Sequence, residues 1–549
     1  MRVKLFYFLS LITALLIMVS CSSDYDVIIQ NGTVYDGTDD DPTTTDIGIK
    51  DDTIAAIGDL ESASAATTIN AEGKAVSPGF INMLSWANYS LLNDGRSISD
   101  IKQGVTLEIF GEGSSMGPLN EEMRDDEPWR TLGEFLEHLT SKGVSTNVAS
   151  FVGATTLRVN VIGREDRAPT EKELDEMQQL VREAMEEGAL GVGSSLIYAP
   201  AWFADTDELI ALSKAAAEYD GTYVSHIRSE GDNLLEATDE FFEIATEANI
   251  DAQIYHLKAA GKQNWDKLNA VFHKIDSLRS LDHNVSANMY TYTAASTGID
   301  ATTPPWAQEG SADDFIERLK DPDTRQKIEK EMANTETDWE NFYQLAGSPD
   351  NILLLEFDVD SLKKYTGQTL SKVSEQRGTD PIPTILDILI ENGGDIGSVF
   401  FVMSEENVKR KIKQPYMSFG SDARSVATEG EVIKSSTHPR TYGTFARLLG
   451  RYVRDQKVIP LKEAIYRLTG LPATNLKIEN RGYLKEGYFA DVVIFDPETI
   501  TDNATFTNPH QYATGVEYVF VNGQQVLKNG NHTGAMPGRV VRGPGYQEK

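Results

Sequence analysis

Cysteine is almost absent from this chain: Cys21 is the only one in 549 residues. No internal disulfide can staple the fold, and no group of thiolates can hold a metal, so any metal site must draw on histidine and carboxylate. Positive charge is also short. Lys and Arg number 50 against 84 Asp and Glu, for a net charge of −34. That balance excludes a nucleic-acid-binding role, because phosphate recognition needs clustered cations. It favours solubility, and it slows anionic ligands unless a local cationic pocket offsets it. Hydrophobic content of 40% and charged content of 24% are ordinary for a soluble globular protein, and the length implies two or more domains.

The N-terminus holds a long apolar run. Arg2 and Lys4 precede "LFYFLSLITALLIMVS", 16 residues that are short for a membrane span and end at Cys21. A positive start, an apolar run and "MVSC" resemble a bacterial lipoprotein signal over residues 1–20. Cleavage before Cys21, with lipid on its sulfur, would tether the mature chain to the cell envelope on the periplasmic or surface side. An ordinary secretory signal that happens to contain a cysteine is the plainer alternative. The stretch "SSDYD" would begin a linker.

Both ends of the remaining chain read as short strands. "YDVIIQNGTVYDG" predicts a hairpin turning at Asn31-Gly32, and "DIGIKDDTIAAIGDL" has the same pattern. Near the C-terminus, "FADVVIFDP" and "VEYVFVNGQQVLKNG" repeat it, with Asn-Gly turns at 522–523 and 529–530. These segments suggest one small β domain built from residues 21–76 and 486–549. Between them, helix-like and strand-like segments alternate. The strand landmarks Gly191, Val224, Ile254 and Val285 recur at roughly 30 residues, the size of a βα unit. An open doubly wound sheet gives the same local rhythm. A closed (β/α)₈ TIM-type barrel over 77–485 fits better, because polar residues gather at strand C-terminal ends, where such barrels keep their active sites. From Thr302 to Asp350 the chain is highly charged and mostly helical. It reads either as an insertion (about 302–350) over the barrel mouth or as a solvated appendage.

Of the eight histidines, two sit where a barrel would use them. His226 ends "TYVSH" and His256 ends "DAQIYH", thirty residues apart on consecutive predicted strands. A lone histidine is more often a satisfied core or surface residue; a pair at matching strand ends is a metal-site candidate. A carboxylate is the natural third ligand. Glu112, in "GVTLEIFGEGSS", follows a strand-like run between glycines that permit close backbone approach. Asp422, in "YMSFGSDARS", also follows a short apolar run and could accept a proton from metal-bound water, or simply cap a helix.

In order along the chain come "SPGFIN", "GVT…G", "TLR" at 156–158, "IYAPAWFA", "SHIRSEG", "HLKAAGKQNW", "YTYTAASTG", "PPW", "GSDA", "HPRTYGTFARLLGRYVR", "LTGLPA" and a close of "ADVVIFDPETI…VFVNGQQV…TGAMPGRVVRG". Through these the chain, over roughly residues 25–546, resembles the D-aminoacylases (N-acyl-D-amino-acid deacylases) of the amidohydrolase superfamily. The resemblance implies a (β/α)₈ barrel, a small β-sandwich made from both termini, and zinc-dependent hydrolysis of the amide in N-acyl-D-amino acids. It carries two zinc-binding histidines onto His226 and His256 and the catalytic aspartate onto Asp422. Residues around the substrate carboxylate fall near Lys258, Tyr290, Tyr292 and Arg440, with Tyr198 at the mouth; Arg228 would add to a cationic pocket.

The departures narrow this. The family's His-x-His pair, which serves a second and weaker metal, is replaced by Leu84 and Trp86 in "INMLSWANYS". Its zinc-binding cysteine is missing as well, from a turn shortened to Gly111-Glu112-Gly113, and Ala154 replaces a histidine before "TLR". Glu112 could stand where the thiolate was, giving Glu/His/His ligation of one Zn²⁺ ion. Leu84 and Trp86 would fill the second-metal space with apolar bulk, Trp86 as a pocket wall. Two functions remain open: a one-zinc amidohydrolase acting on N-acyl amino acids, or a degenerate lipoprotein that binds acylated amino acids or peptides without cleaving them. A related cyclic-amide hydrolase or dipeptidase is a third. Sequence is silent on oligomeric state.

Overall fold

The computed structural model describes residues 23–124 and 127–548. Cys21 and the apolar run before it lie outside the described residues. Among the described residues, no helix is long and apolar enough to cross a membrane.

Strands from both chain ends form one nine-stranded sheet. Tyr25–Val34, Thr43–Lys50, Thr53–Gly58, Ala65–Asn70 and Ala75–Pro78 come from the N-terminal side. Val492–Phe495, Val516–Val521, Gln524–Lys528 and Asn531–His532 come from the other. The two sets join where Ala75–Pro78 runs antiparallel to Val492–Phe495. Alternating Val27, Ile29, Ile47, Ile49 and Ile54 are buried with Val492, Ile494 and Phe520 in one apolar cluster. The Asn-Gly pairs at 522–523 and 529–530 do turn the chain between paired strands. The pair at 31–32 does not. Tyr25–Val34 is one continuous strand, and its register against Thr43–Lys50 shifts between Ile29 and Gly32. Asn31, at φ 62°, makes a bulge there, held by the Asp46 carboxylate on its N–H.

The middle of the chain alternates strand and helix. Phe80–Asn82, Val105–Phe110 and Asn147–Ser150 form one parallel sheet, and Val152–Gly153, Gly191–Ser195, Thr222–His226, Asp251–Ile254, Val285–Met289 and Met417–Phe419 form a second. Helices such as Glu171–Glu186, Thr206–Ala217, Leu234–Glu247 and Leu268–Arg279 return the chain to the next strand, their apolar faces in the largest core cluster. Glu171–Glu186 begins at a capping box in which Thr170 and Glu173 serve each other's backbone N–H.

Between Val285–Met289 and Met417–Phe419 lies a long excursion with its own core. Three antiparallel strands, Ala295–Gly298, Gly397–Phe400 and Ile352–Leu354, carry helices that include Ala312–Lys320, Pro322–Met332 and Pro381–Asn392. The charged segment 302–350 is thus one part of a wider unit. Within it, only Phe342 reaches the wall of the main cavity; Ser296, Leu355 and Phe357 from the flanking segments reach it too.

Candidate metal and catalytic site

The strand ends open into a cavity of about 730 Å³. His226 is the last residue of its strand, and His256 lies just past Ile254. Their rings meet edge to face with centroids 4.4 Å apart. Glu112 reaches the same point from the turn after Val105–Phe110. Gly111 and Gly113 on either side of it have φ of 99° and 72°, and a Cβ on Gly113 would lie 2.5 Å from Ser195 Cβ. The glycines therefore let a tight left-handed turn push one carboxylate inward. Glu112, His226 and His256 each offer a ligand atom within 4.8 Å of the others, and all three are buried. Glu112 Oε1 lies 2.7 Å from His256 Nε2 and 3.5 Å from His226 Nδ1.

A second carboxylate closes the far side. Glu230 Oε1 is 3.0 Å from His256 Nδ1, and Oε2 is 3.4 Å from His226 Nε2. Metal-binding histidines characteristically engage a carboxylate through the nitrogen that faces away from the metal. Two imidazoles, one carboxylate and this backing acid are a donor set that suits zinc. Burial by itself pushes Glu112 and Glu230 up, but their neighbours reverse this; His256 and His226 hold Glu112, and Lys258 with both histidines holds Glu230, well below the usual carboxylate range. Lys258 Nζ donates to Glu230 Oε1 at 2.5 Å. Burial would strip its proton, and Glu230 overrides that and raises it.

Asp422 follows Met417–Phe419 with φ at 50°, and His256 has φ at 32°. Left-handed backbone at two non-glycine residues is a strain that surrounding bonds must hold. Asp422 N–H donates to Leu84 O at 2.9 Å, and His256 N–H to Asn288 Oδ1 at 2.7 Å. Arg440 Nη1 lies 2.6 Å from Asp422 Oδ2, and Trp86 Nε1 donates to both Asp422 Oδ1 and Glu112 Oε2 at 3.1 Å. Burial raises the Asp422 carboxyl against the pull of Arg440. Tyr290 stands between the cations, with Arg440 4.6 Å and Lys258 5.8 Å from its ring. Burial pushes its hydroxyl up to about 12, so it stays protonated, and it has no hydrogen-bond partner among the described residues.

Tyr198, Lys258, Tyr290 and Arg440 all line the cavity. Arg228 and Tyr292 do not, and their assignment to the substrate pocket is corrected here. Arg228 turns outward onto the Glu240 carboxylate and the carbonyls of Trp202 and Ala204, which engage all three of its guanidinium nitrogens. Tyr292 lies behind the wall, its hydroxyl 3.3 Å from both Pro439 O and Asp502 Oδ2, either of which can accept its proton. The cationic pocket is also less free than expected, since Lys258 and Arg440 each already face a carboxylate. Sequence reasoning missed three residues: Glu230, Glu340 and His438. Glu340, from the excursion, accepts the backbone N–H of Glu230 at 2.5 Å. His438, kept neutral by burial, donates from Nε2 to Ala294 O and accepts the N–H of Arg440 at Nδ1. Its only signal was its place two residues before Arg440 in "HPR".

A family model described as "Amidohydrolase family" matches residues 67–527. The D-aminoacylase of Alcaligenes xylosoxydans xylosoxydans is 30% identical over 537 residues, spanning 95% of this chain and 98% of that one. The N-acyl-D-glutamate deacylase of Bordetella bronchiseptica, solved with zinc and a phosphonate mimic of the tetrahedral intermediate, superposes with a TM-score of 0.79. It is 28% identical, covering 94% of this chain and 99% of that one. A D-aminoacylase structure concerned with a binuclear metal centre, with one-metal activation and second-metal attenuation, has a TM-score of 0.77 at 29% identity, covering 94% and 100%. These matches run nearly end to end over a chain whose strand ends converge on a Glu/His/His cluster, and the chain belongs to the amidohydrolase family.

Proposed function

We propose that this chain is a one-zinc amidohydrolase that cleaves the amide of N-acyl-D-amino acids or closely related acylated amino acids and short peptides. The observation that carries it is the convergence of Glu112, His226 and His256 with Asp422 on one cavity wall. The full-length similarity to D-aminoacylase supports the substrate class.

Glu112, His226 and His256 would hold a zinc ion, which would supply a Lewis acid and a water of lowered pKa. Asp422, raised by burial and held at both oxygens, takes the proton of the attacking water and delivers it to the leaving amine. Tyr290 offers its unpartnered hydroxyl to the substrate carboxylate, with Arg440 beside it. Glu230 keeps His256 oriented through Nδ1, and Lys258 holds the Glu230 carboxylate in turn. We also propose that the parallel strands form one closed eight-stranded barrel. Asn147–Ser150 leads directly into Val152–Gly153, bringing the two sheets together on one side. On the other, Met83 N–H donates to Phe419 O and Trp86 N–H to Ala423 O. Lipid anchorage through Cys21 at the bacterial envelope is a further proposal, supported by the sequence of residues 1–21 and by a first strand that begins at Tyr25.

The test is a screen of N-acetyl-D- and N-acetyl-L-amino acids with added zinc, reading free amine, on the wild type and Asp422→Asn. The wild type should release amine, and the variant should keep its zinc while losing at least about a hundredfold in kcat. Full activity in Asp422→Asn refutes the proton-transfer role. A protein that binds these compounds and never releases amine is a binder and not a hydrolase.

A further inference from the structure

Trp86 sits between the two acids of the site and touches both through one atom. Its Nε1 is 3.1 Å from Glu112 Oε2 and 3.1 Å from Asp422 Oδ1. The two carboxylate oxygens are therefore no more than 6.2 Å apart, twice that bond length. Like charges this close, both buried, disfavour each other, and a bridging cation is the common remedy. Here a neutral indole N–H fills the bridging position.

The backbone shows that this placement is built in. Ser85 N–H donates to Ile109 O, on the strand that leads to Glu112, and Trp86 N–H donates to Ala423 O, beside Asp422. Residues 84–86 are laced to both strands whose ends carry the acids, so the root of the indole is fixed relative to each. The bonds also divide the labour of the carboxylate oxygens. Glu112 gives Oε2 to the indole and turns Oε1 toward the histidines, while Asp422 gives Oδ1 to the indole and Oδ2 to Arg440.

We infer that Trp86 is a positioning residue that takes the place of a second cation: its N–H holds Glu112 to a single metal-facing oxygen, aims Asp422, and limits the site to one metal ion. It rests on the hydrolase reading for its effect on turnover, but its effect on metal stoichiometry stands apart from any substrate. Excess zinc should accordingly leave the wild type active, in contrast to the D-aminoacylase for which second-metal attenuation is described.

The experiment compares full-length wild type with Trp86→Phe, which keeps an aromatic ring and removes the donor. Equilibrium dialysis against zinc, and the visible spectrum during cobalt titration, count the ions per chain. Wild type should saturate at one; Trp86→Phe should take up a second ion at higher metal concentration. With the single ion in place, kcat of the variant should fall about ten- to a hundredfold while KM stays within about threefold, as loss of alignment predicts. Two ions bound by the wild type overturn the inference, and that arm holds even if the variant does not fold. One ion in Trp86→Phe together with kcat within about twofold of wild type overturns it as well. If the wild type hydrolyses nothing, the hydrolase reading fails alone, and the ion counts still decide the role of Trp86.

Discussion

Glu230 shows how a residue outside every strand end comes to organise the site. It faces both histidines and Lys258, and its own N–H donates to the Glu340 carboxylate from the excursion. Glu230→Gln should lower zinc affinity about ten- to a hundredfold, as loss of a carboxylate behind metal-binding histidines generally does. Competition dialysis measures it, and an unchanged affinity would remove Glu230 from the metal's support. Glu112 could be read from sequence because a carboxylate between glycines at a strand end has few other uses. Glu230 could not: it lies four residues past His226, and only the course of the loop brings it back. The same physics misplaced Arg228. "HIR" and "HLK" look equivalent, but the side chain two residues past each histidine goes where its nearest partner is. For Lys258 that partner is Glu230, inside; for Arg228 it is Glu240, on the following helix.

At the scale of elements, identical dipeptides took different forms. Asn522-Gly523 turns a hairpin, whereas Asn31-Gly32 bulges one strand, because a partner strand from Thr43–Lys50 continues past it and Asp46 accepts its N–H. Asparagine and glycine permit positive φ; distant pairing decides how it is used. The βα rhythm was legible because each helix buries an apolar stripe. The limits of the excursion were not, since its short strands look like any others until Ala295–Gly298 pairs with Gly397–Phe400, a hundred residues away. One inter-helix contact has a measurable weight. Arg158, in Ala154–Val161, and Glu208, in Thr206–Ala217, form a fully buried ion pair at 2.5 Å. Burial pushes Glu208 up to about 7 even against Arg158. Glu208→Gln should destabilise by about 3–5 kcal/mol, because it strands a buried guanidinium. Urea unfolding reads this directly, and a loss under about 1 kcal/mol would show that the carbonyls of Glu165 and Arg167 satisfy Arg158 without it.

Across the whole molecule, stability should depend on pH through a polar knot beneath the site. Asn82 Nδ2 lies within hydrogen-bonding distance of Asp100, Glu108 and Ser421, joining two parallel strands, the turn after Met417–Phe419 and the helix Ile98–Ile101. Burial pushes Asp100 up to about 6, and burial with the Asp100 charge pushes Glu108 up further. An unfolded Asp titrates near 3.9, so between about pH 4 and pH 6 the folded chain holds a proton that the unfolded chain has lost. Stability from this group is therefore full at the acid end of that window and declines as pH rises through it. Asp100→Asn should leave stability near wild type at about pH 4 and raise it by roughly 1–3 kcal/mol at about pH 7.5. Denaturation at both pH values tests this; a gain that does not grow with pH would show that Asp100 is ionised without cost.

The sheet that receives both chain ends also sets the order of assembly. Ala75–Pro78 waits for Val492–Phe495, which is synthesised only after all the parallel strands and the excursion. The earliest strands thus remain a bare edge through most of synthesis, and pairing of such high sequence separation is slow. A nascent chain of this design stays threadable until nearly complete, and any fragment released early exposes an unpaired hydrophobic edge that quality-control proteases can find.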